Sequence, residues 1–403
     1  MSVYWNQRVR GLSPYVPGEQ PRDRKFIKLN TNENPYPPPP AVLKALQEAA
    51  NQELNLYPDP SCTKLREEAA SFFGVKPGQV FAGNGSDEVL AFAFAAFFES
   101  SPLGENSAAG NQDTKTVLFP GISYSFYPVY ARFWNTPSRA IPLKEDFSID
   151  HRDYLIPSGG AIIPNPNAPT GRGLPVRKLL CIAEYMEQRQ NSAIKDGSAI
   201  KDSATNGSAV KDDATSAAPP TAKKPVLIID EAYIAFSGEA GVTSAIPYIA
   251  DHPNILVVQT LSKGASLAGL RTGFAIGSEE LIEGLCRVRD SFNSYTLDRL
   301  AQAGAVAALK NRAYYNEINQ KIIATRKRVS AALRDLGFTV IPSQANFIFV
   351  RHPAKSGALF FSALREKGIL TRHFNTIADY LRVSIGSDAD MDTFLAACKG
   401  ETQ

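Results

Sequence analysis

Cysteine and histidine are scarce in this chain: four of each occur in 403 residues, and they are scattered. Cys62, Cys181, Cys286 and Cys398 form no CxxC pair and do not cluster with His151, His252, His352 or His373. That spacing argues against a disulfide framework and a zinc site, and it fits a reducing compartment. No stretch approaches the ~20 apolar residues of a membrane span, and Met1-Ser2-Val3-Tyr4-Trp5-Asn6 has no apolar signal core. The expectation is a soluble, cytoplasmic protein. An excess of one charge is missing too. The 43 basic and 40 acidic residues give +3 without a long basic run, which weighs against nucleic acid or an anionic membrane as partner. Gly83-Asn84-Gly85 lacks the third glycine and downstream acid of a dinucleotide fingerprint, so a nucleotide-dependent dehydrogenase is disfavoured.

What is present is size and a repeating pattern. A chain this long exceeds the roughly 250–300 residues at which one core stops growing, so two domains are expected. The apolar runs Thr116 to Phe119, Ala161 to Ile163, Val226 to Ile229 and Ile255 to Val258 alternate with helical stretches. That pattern predicts an α/β fold with a mostly parallel sheet covered on both faces. Each run ends in a polar or turn-rich cluster, and in such a sheet these ends gather along one edge. Further on, short strands at Thr339 to Ile341, Asn346 to Val350 and Leu381 to Ser384, with helices between them, read as a smaller α+β domain. The expected division is an N-terminal arm with part of the small domain over 1–55, a large domain over 56–298 and the C-terminal small domain over 299–403. The first forty residues, ending in Pro37-Pro38-Pro39-Pro40, read as an extended arm. Residues 191–224 carry an imperfect Ser-Ala-Ile/Val-Lys-Asp repeat with little apolar content, and read as a flexible surface insertion.

Lys263, in Thr260-Leu261-Ser262-Lys263-Gly264, follows the Ile255 to Val258 strand and so emerges at the sheet edge. An arbitrary lysine there is most often a surface residue. A buried amine, however, loses its proton readily and forms a Schiff base with an aldehyde. Asp230 ends the preceding apolar run, where a buried acid is costly unless it meets a cation such as a protonated heterocyclic nitrogen. Alone, Asp230 is as easily a helix cap or a structural ion pair. A lysine and a carboxylate so arranged are what pyridoxal phosphate chemistry requires. Gly85-Ser86-Asp87 opens a helix, with Ser86 as expected N-cap, and its N–H groups suit an anion, a weak signal when taken singly. Ser262 adds a hydroxyl and Arg271 a bidentate cation. Tyr124, in an aromatic run that core packing would also explain, is placed to stack on a ring.

Asn167-Ala168-Pro169-Thr170-Gly171, Asp230-Glu231-Ala232-Tyr233, Ser262-Lys263 and Arg271 together resemble the fold type I pyridoxal-phosphate-dependent aminotransferases in order and spacing. Residues 12–18, 29–36, Tyr57-Pro58-Asp59-Pro60 and Leu267-Ala268-Gly269-Leu270-Arg271 are similar to the histidinol-phosphate aminotransferase branch. The resemblance implies pyridoxal 5'-phosphate as cofactor, Lys263 as the Schiff-base lysine, Asp230 on the ring nitrogen and Tyr233 on the ring oxygen. It implies Tyr124 on the ring face, and Gly85, Ser86, Asp87, Thr260, Ser262 and Arg271 around the phosphate. Tyr57 would reach the phosphate of a neighbouring subunit in a homodimer with shared sites. Where the family has asparagine before Pro-Thr-Gly this chain has Ala168, and Asn167 is the substitute expected. Arg382, Arg372, Tyr36 and Asn346 would contact substrate.

The implied reaction converts L-histidinol phosphate and 2-oxoglutarate to imidazole acetol phosphate and L-glutamate, in both directions, with ping-pong kinetics. The alternatives are an aromatic amino acid aminotransferase, a decarboxylase of phosphorylated amino acids on the same cofactor framework, and a non-catalytic module that keeps the fold.

Overall fold

The computed structural model describes residues 3–15, 17–21, 24–101, 112–197, 223–239 and 241–402. A seven-stranded sheet runs, edge to edge, through Val80–Asn84, Thr272–Ile276, Ile255–Thr260, Val226–Asp230, Gly160–Pro164, Val117–Pro120 and Ser138–Ile141. All neighbours are parallel except Thr272–Ile276, which is antiparallel to both of its partners.

The strands are continuously apolar because both faces are covered. Leu227 and Ile229 enter the core on one side of the sheet, while Val226 and Ile228 enter that on the other, as side-chain alternation along a strand demands. Each such buried side chain contributes about 1.5–3 kcal/mol. In register, Pro164 lies beside Asp230 and Asp230 beside Val258, so the polar residues that follow the strands open onto one edge.

A second, four-stranded antiparallel sheet runs Arg372–His373, Tyr380–Ser384, Phe347–Arg351, Thr339–Ile341. Helices Arg312–Asp335, Gly357–Glu366 and Asp388–Thr402 pack on it around Ile348, Val350, Leu381, Val383 and Phe394. The N-terminal arm is tied to this part. Its strand Ile27–Lys28 pairs in parallel with Ile369–Leu370, and the Leu29 carbonyl accepts from Ser384 N at 2.9 Å.

Four expectations are corrected. The arm is not wholly extended, since it holds the short helix Gln7–Arg10 as well as Ile27–Lys28. Ser86 does not cap its helix; the helix is Gly85–Phe97, with Asn84 before it and Ser86 inside the first turn. The strand Thr272–Ile276 was not foreseen because Gly273 interrupts its apolar pattern. There the missing side chain is required, as a Cβ would lie 2.5 Å from Ser86 N. Finally, helix Val176–Gly197 runs into the expected insertion, so 191–197 are helical, and 198–222 lie outside the described residues. Among the described residues no helix is long and apolar enough to cross a membrane.

Candidate active site

A cavity opens where the carboxyl ends of the large sheet face the arm and the four-stranded sheet. Ser86, Asp87, Tyr124, Asp230, Tyr233, Thr260, Ser262, Lys263 and Arg271 line it from the first side, and Arg372, Phe374 and Arg382 from the other. The arm contributes Tyr15 and the run Asn30 to Asn32.

Lys263 sits at the centre. Its Nζ donates to the Thr31 carbonyl at 3.1 Å, and Asn34 Nδ2 donates to the Lys263 carbonyl at 3.1 Å, so the arm holds the lysine by both its side chain and its backbone. Burial, followed by the field of Arg382, pushes the amine down to about 8. At the end of its strand Asp230 is buried, and burial pushes its carboxyl up to about 6. It is held by neutral donors: Tyr127 OH at 2.7 Å on Oδ2 and Ala232 N at 3.2 Å on Oδ1. An ionised carboxylate held this way is completed by a cation from the cavity. Neighbouring Glu231 points elsewhere, into hydrogen bonds with Ser244, Ala245 and Gln259.

One end of the cavity is an anion cradle. The start of helix Gly85–Phe97 presents free N–H groups there, with Ser262, Thr260 and Arg271 around it. Thr260 Oγ1 donates to Ser262 Oγ at 3.0 Å, and Arg271 Nη1 to the same oxygen at 3.4 Å. Asp87 is an organiser rather than an anion ligand, since its carboxylate accepts from Arg271 Nη2 at 2.9 Å and from Tyr124 OH at 2.6 Å. Gly85 makes room: its φ is +77°, and a Cβ would lie 2.5 Å from Arg271 Nη2.

At the other end stand Arg382 and Tyr233. Arg382 Nη2 donates to the Asn30 carbonyl at 2.7 Å, while its Nε is buried without a partner among the described residues. Tyr233 OH accepts from Asn32 Nδ2 at 3.0 Å, and Asn32 Oδ1 accepts from Ser384 Oγ at 3.0 Å. Burial raises the Tyr233 phenol, with Arg382 working against it.

Five of the expected site residues do not line this cavity: Gly85, whose missing side chain makes room for Arg271, and four others. Asn167 is buried and turned away, its amide donating to the Ile122 carbonyl and Thr170 Oγ1, so that Ala168 lines the cavity instead. Asn346 acts one step back, donating to the Asn32 carbonyl at 2.9 Å. Tyr36 is partly buried, its ring 5.9 Å from Lys321 Nζ. Tyr57 is 80% exposed and stacked on Tyr295 at 4.6 Å. Conversely, Tyr127, Asn32, Tyr15 and Phe374 went unassigned. The aromatic run Tyr124 to Tyr127 was a signal for the first, but which of its rings meets Asp230 depends on how the helix Tyr127–Phe133 is set.

The model of the aminotransferase class I and II family matches residues 24–194 and 217–397. The chain is 50% identical over 401 residues to the histidinol-phosphate aminotransferase of Clostridium acetobutylicum, covering 99% of each. It is 46% identical to histidinol-phosphate aminotransferase 2 of Thiobacillus denitrificans, over 99% of this chain and 98% of that one. The crystal structure of the Sinorhizobium meliloti histidinol-phosphate aminotransferase in complex with pyridoxal-5'-phosphate shares the fold, with a TM-score of 0.78, 22% identity and coverage of 100% and 98%. The expected architecture, a mostly parallel sheet covered by helices beside a smaller α+β unit, is the one found. With the family model covering nearly all of the described sequence and half-identical relatives spanning it end to end, the chain belongs to the aminotransferase class I and II family.

Proposed function

We propose that the chain is a pyridoxal-5'-phosphate-dependent aminotransferase of histidine biosynthesis, converting L-histidinol phosphate and 2-oxoglutarate to imidazole acetol phosphate and L-glutamate, and the reverse. The observation that carries this is one cavity holding a buried Lys263 amine at about 8 and an Asp230 carboxylate with no cation bonded to it among the described residues, with Arg271 at one end and Arg382 at the other. The residues fit the cofactor: the cradle suits its phosphate and Asp230 its ring nitrogen. When bound, pyridoxal phosphate supplies an aldehyde for amine chemistry and a protonated ring that stores electrons.

The chain's own residues do the rest. Lys263 provides the attacking amine and moves the proton at the substrate carbon, as base and then acid. Asp230 keeps the ring nitrogen protonated, and Tyr127 keeps Asp230 in place. Ser86, Ser262 and Arg271 anchor the phosphate, Tyr124 covers the ring, and Tyr233 serves the ring oxygen. Arg382 takes the anionic group of each substrate in turn, the phosphate ester or the glutamate carboxylate, with Arg372 beside it. The names of the curated relatives support this substrate over aromatic amino acids.

The proposal includes a cytoplasmic homodimer and the three-part division 1–55, 56–298 and 299–403. Tyr57, Leu54, Leu56, Phe292 and Tyr295 form exposed apolar surface, and Tyr57, away from this chain's own cavity, is free to serve a partner's. The test is a transamination assay of wild type and Lys263→Ala on histidinol phosphate with 2-oxoglutarate, alongside phenylalanine. Activity on histidinol phosphate that disappears in the variant is expected. A clear preference for phenylalanine overturns the substrate assignment.

A further inference from the structure

Behind the lysine loop lies a second cavity, walled by Phe72, Phe73, Phe274 and Leu309 and floored by Leu261, Gly264 and Ala265. It shares only Thr260 and Ala232 with the cavity in front, so the residues flanking Lys263 separate the two. Its far wall is helix Arg312–Asp335, which contributes Tyr315 and Asn319. Both are more than nine-tenths buried, and Tyr315 OH and Asn319 Oδ1 have no hydrogen-bond partner among the described residues. The Asn319 amide reaches the cavity floor, since a Cβ on Gly264 would lie 3.4 Å from its Nδ2. The rings meet edge to face: Phe72 with Phe73 at 5.0 Å and 88°, and Phe73 with Phe274 at 5.9 Å and 73°. Exposed Arg312 and Asn316 form the mouth.

We propose that this cavity is a ligand site for a small flat aromatic molecule bearing one N–H or O–H donor. The walls supply edge-to-face ring contacts, and Asn319 Oδ1 and Tyr315 OH supply the polar anchor that an aromatic hydrocarbon would leave unmet. A ring seated there lies against the backbone of Gly264, next to Lys263, without entering the catalytic cavity.

The test uses purified holoenzyme with phenol and toluene as probes, read by ligand-observed NMR. Saturable phenol binding about tenfold tighter than toluene binding is expected, the difference made by one buried hydrogen bond. Asn319→Leu should reverse that order, and Ala308→Leu, which fills the cavity from helix Arg299–Lys310, should abolish binding of both. Inorganic phosphate, which would go to the substrate end of the catalytic cavity at Arg382, should not compete. Equal affinity for the two probes, displacement by phosphate, or no saturable phenol binding by the wild type overturns the proposal; the last means the cavity holds water alone.

Discussion

Tyr127 donates its hydroxyl to Asp230 Oδ2 at 2.7 Å, and both groups are buried at the carboxyl edge of the large sheet. The bond favours the ionised form of a carboxyl that burial, working against it, still pushes up to about 6. A neutral phenol thereby stabilises the anion without supplying the cation that a ring nitrogen brings.

Tyr127→Phe should therefore raise the Asp230 pKa further and lower kcat about tenfold, the worth of one hydrogen bond to a charged group. The check is the pH profile of kcat, whose acidic limb should move upward. An unmoved limb would assign Tyr127 to packing alone.

Asp230 also sets up a trade between stability and activity. Burial raises its folded pKa to about 6 from the 3.8 of a free carboxyl, so its stabilising share is present below the lower value and lost as pH rises through the upper one. Asp230→Asn should stabilise the cofactor-free protein by about 3 kcal/mol near pH 7, with much less gain near pH 4, while abolishing transamination. Denaturant titrations at the two pH values decide this, and an equal gain at both contradicts it.

Lys263 is held down by burial first and by Arg382 second. Its neutral fraction, and with it the rate at which cofactor-free protein reacts with an aldehyde, should rise through pH about 8 rather than near 10.5. Arg382→Gln should shift that midpoint upward, because a like charge has been removed. Spectrophotometric titration with Lys263→Ala as blank measures it, and a midpoint unmoved in Arg382→Gln shows that Arg382 does not act on the amine.

Arg271→Ala should weaken cofactor binding about a hundredfold, since a charge-assisted pair is lost and Asp87 keeps only the neutral Tyr124 hydroxyl. Gly85→Ala should act on the same end, because its Cβ displaces the guanidinium and a φ of +77° costs about 1 kcal/mol for any other residue. Equilibrium dialysis of the cofactor reads both. Wild-type affinity in Gly85→Ala would mean that Arg271 has room to move.

Tyr57→Ala should reduce cofactor affinity only in the dimer. Sedimentation of the variant, paired with a mixing experiment against Lys263→Ala, distinguishes a residue acting in the partner's site from a surface one. Partial recovery of activity in the mixed dimers is the expected sign.

The chain order of the catalytic residues was legible because four continuous apolar residues followed by a polar one mark both a buried strand and the edge where it ends. Asp230 and Lys263, with Ser262 beside the lysine, come from that pattern, Arg271 comes from its side-chain chemistry and the family resemblance, and the four share one cavity. Asn167, expected from the family resemblance, turns away. Position along a strand or loop locates a backbone, but the direction of a side chain follows from what else competes for its hydrogen bonds. Thr272–Ile276 was hidden for a related reason: Gly273 breaks an apolar pattern in order to let the Gly85 turn approach.

By itself the sequence determined the α/β class, the sheet edge that gathers the site, and the identity of the lysine, the carboxylate and the arginines. The class and the edge follow from local periodicity, the candidate lysine and carboxylate from the chemistry each carries, and the arginines from the family resemblance together with their charge. Tertiary structure alone decided that Tyr127 supports Asp230, that Asn32 meets Tyr233, and that the arm's Thr31 carbonyl receives Lys263. Those partners are separated by 103, 201 and 232 positions along the chain, and contacts that distant are set only when the packed sheets and helices bring them together.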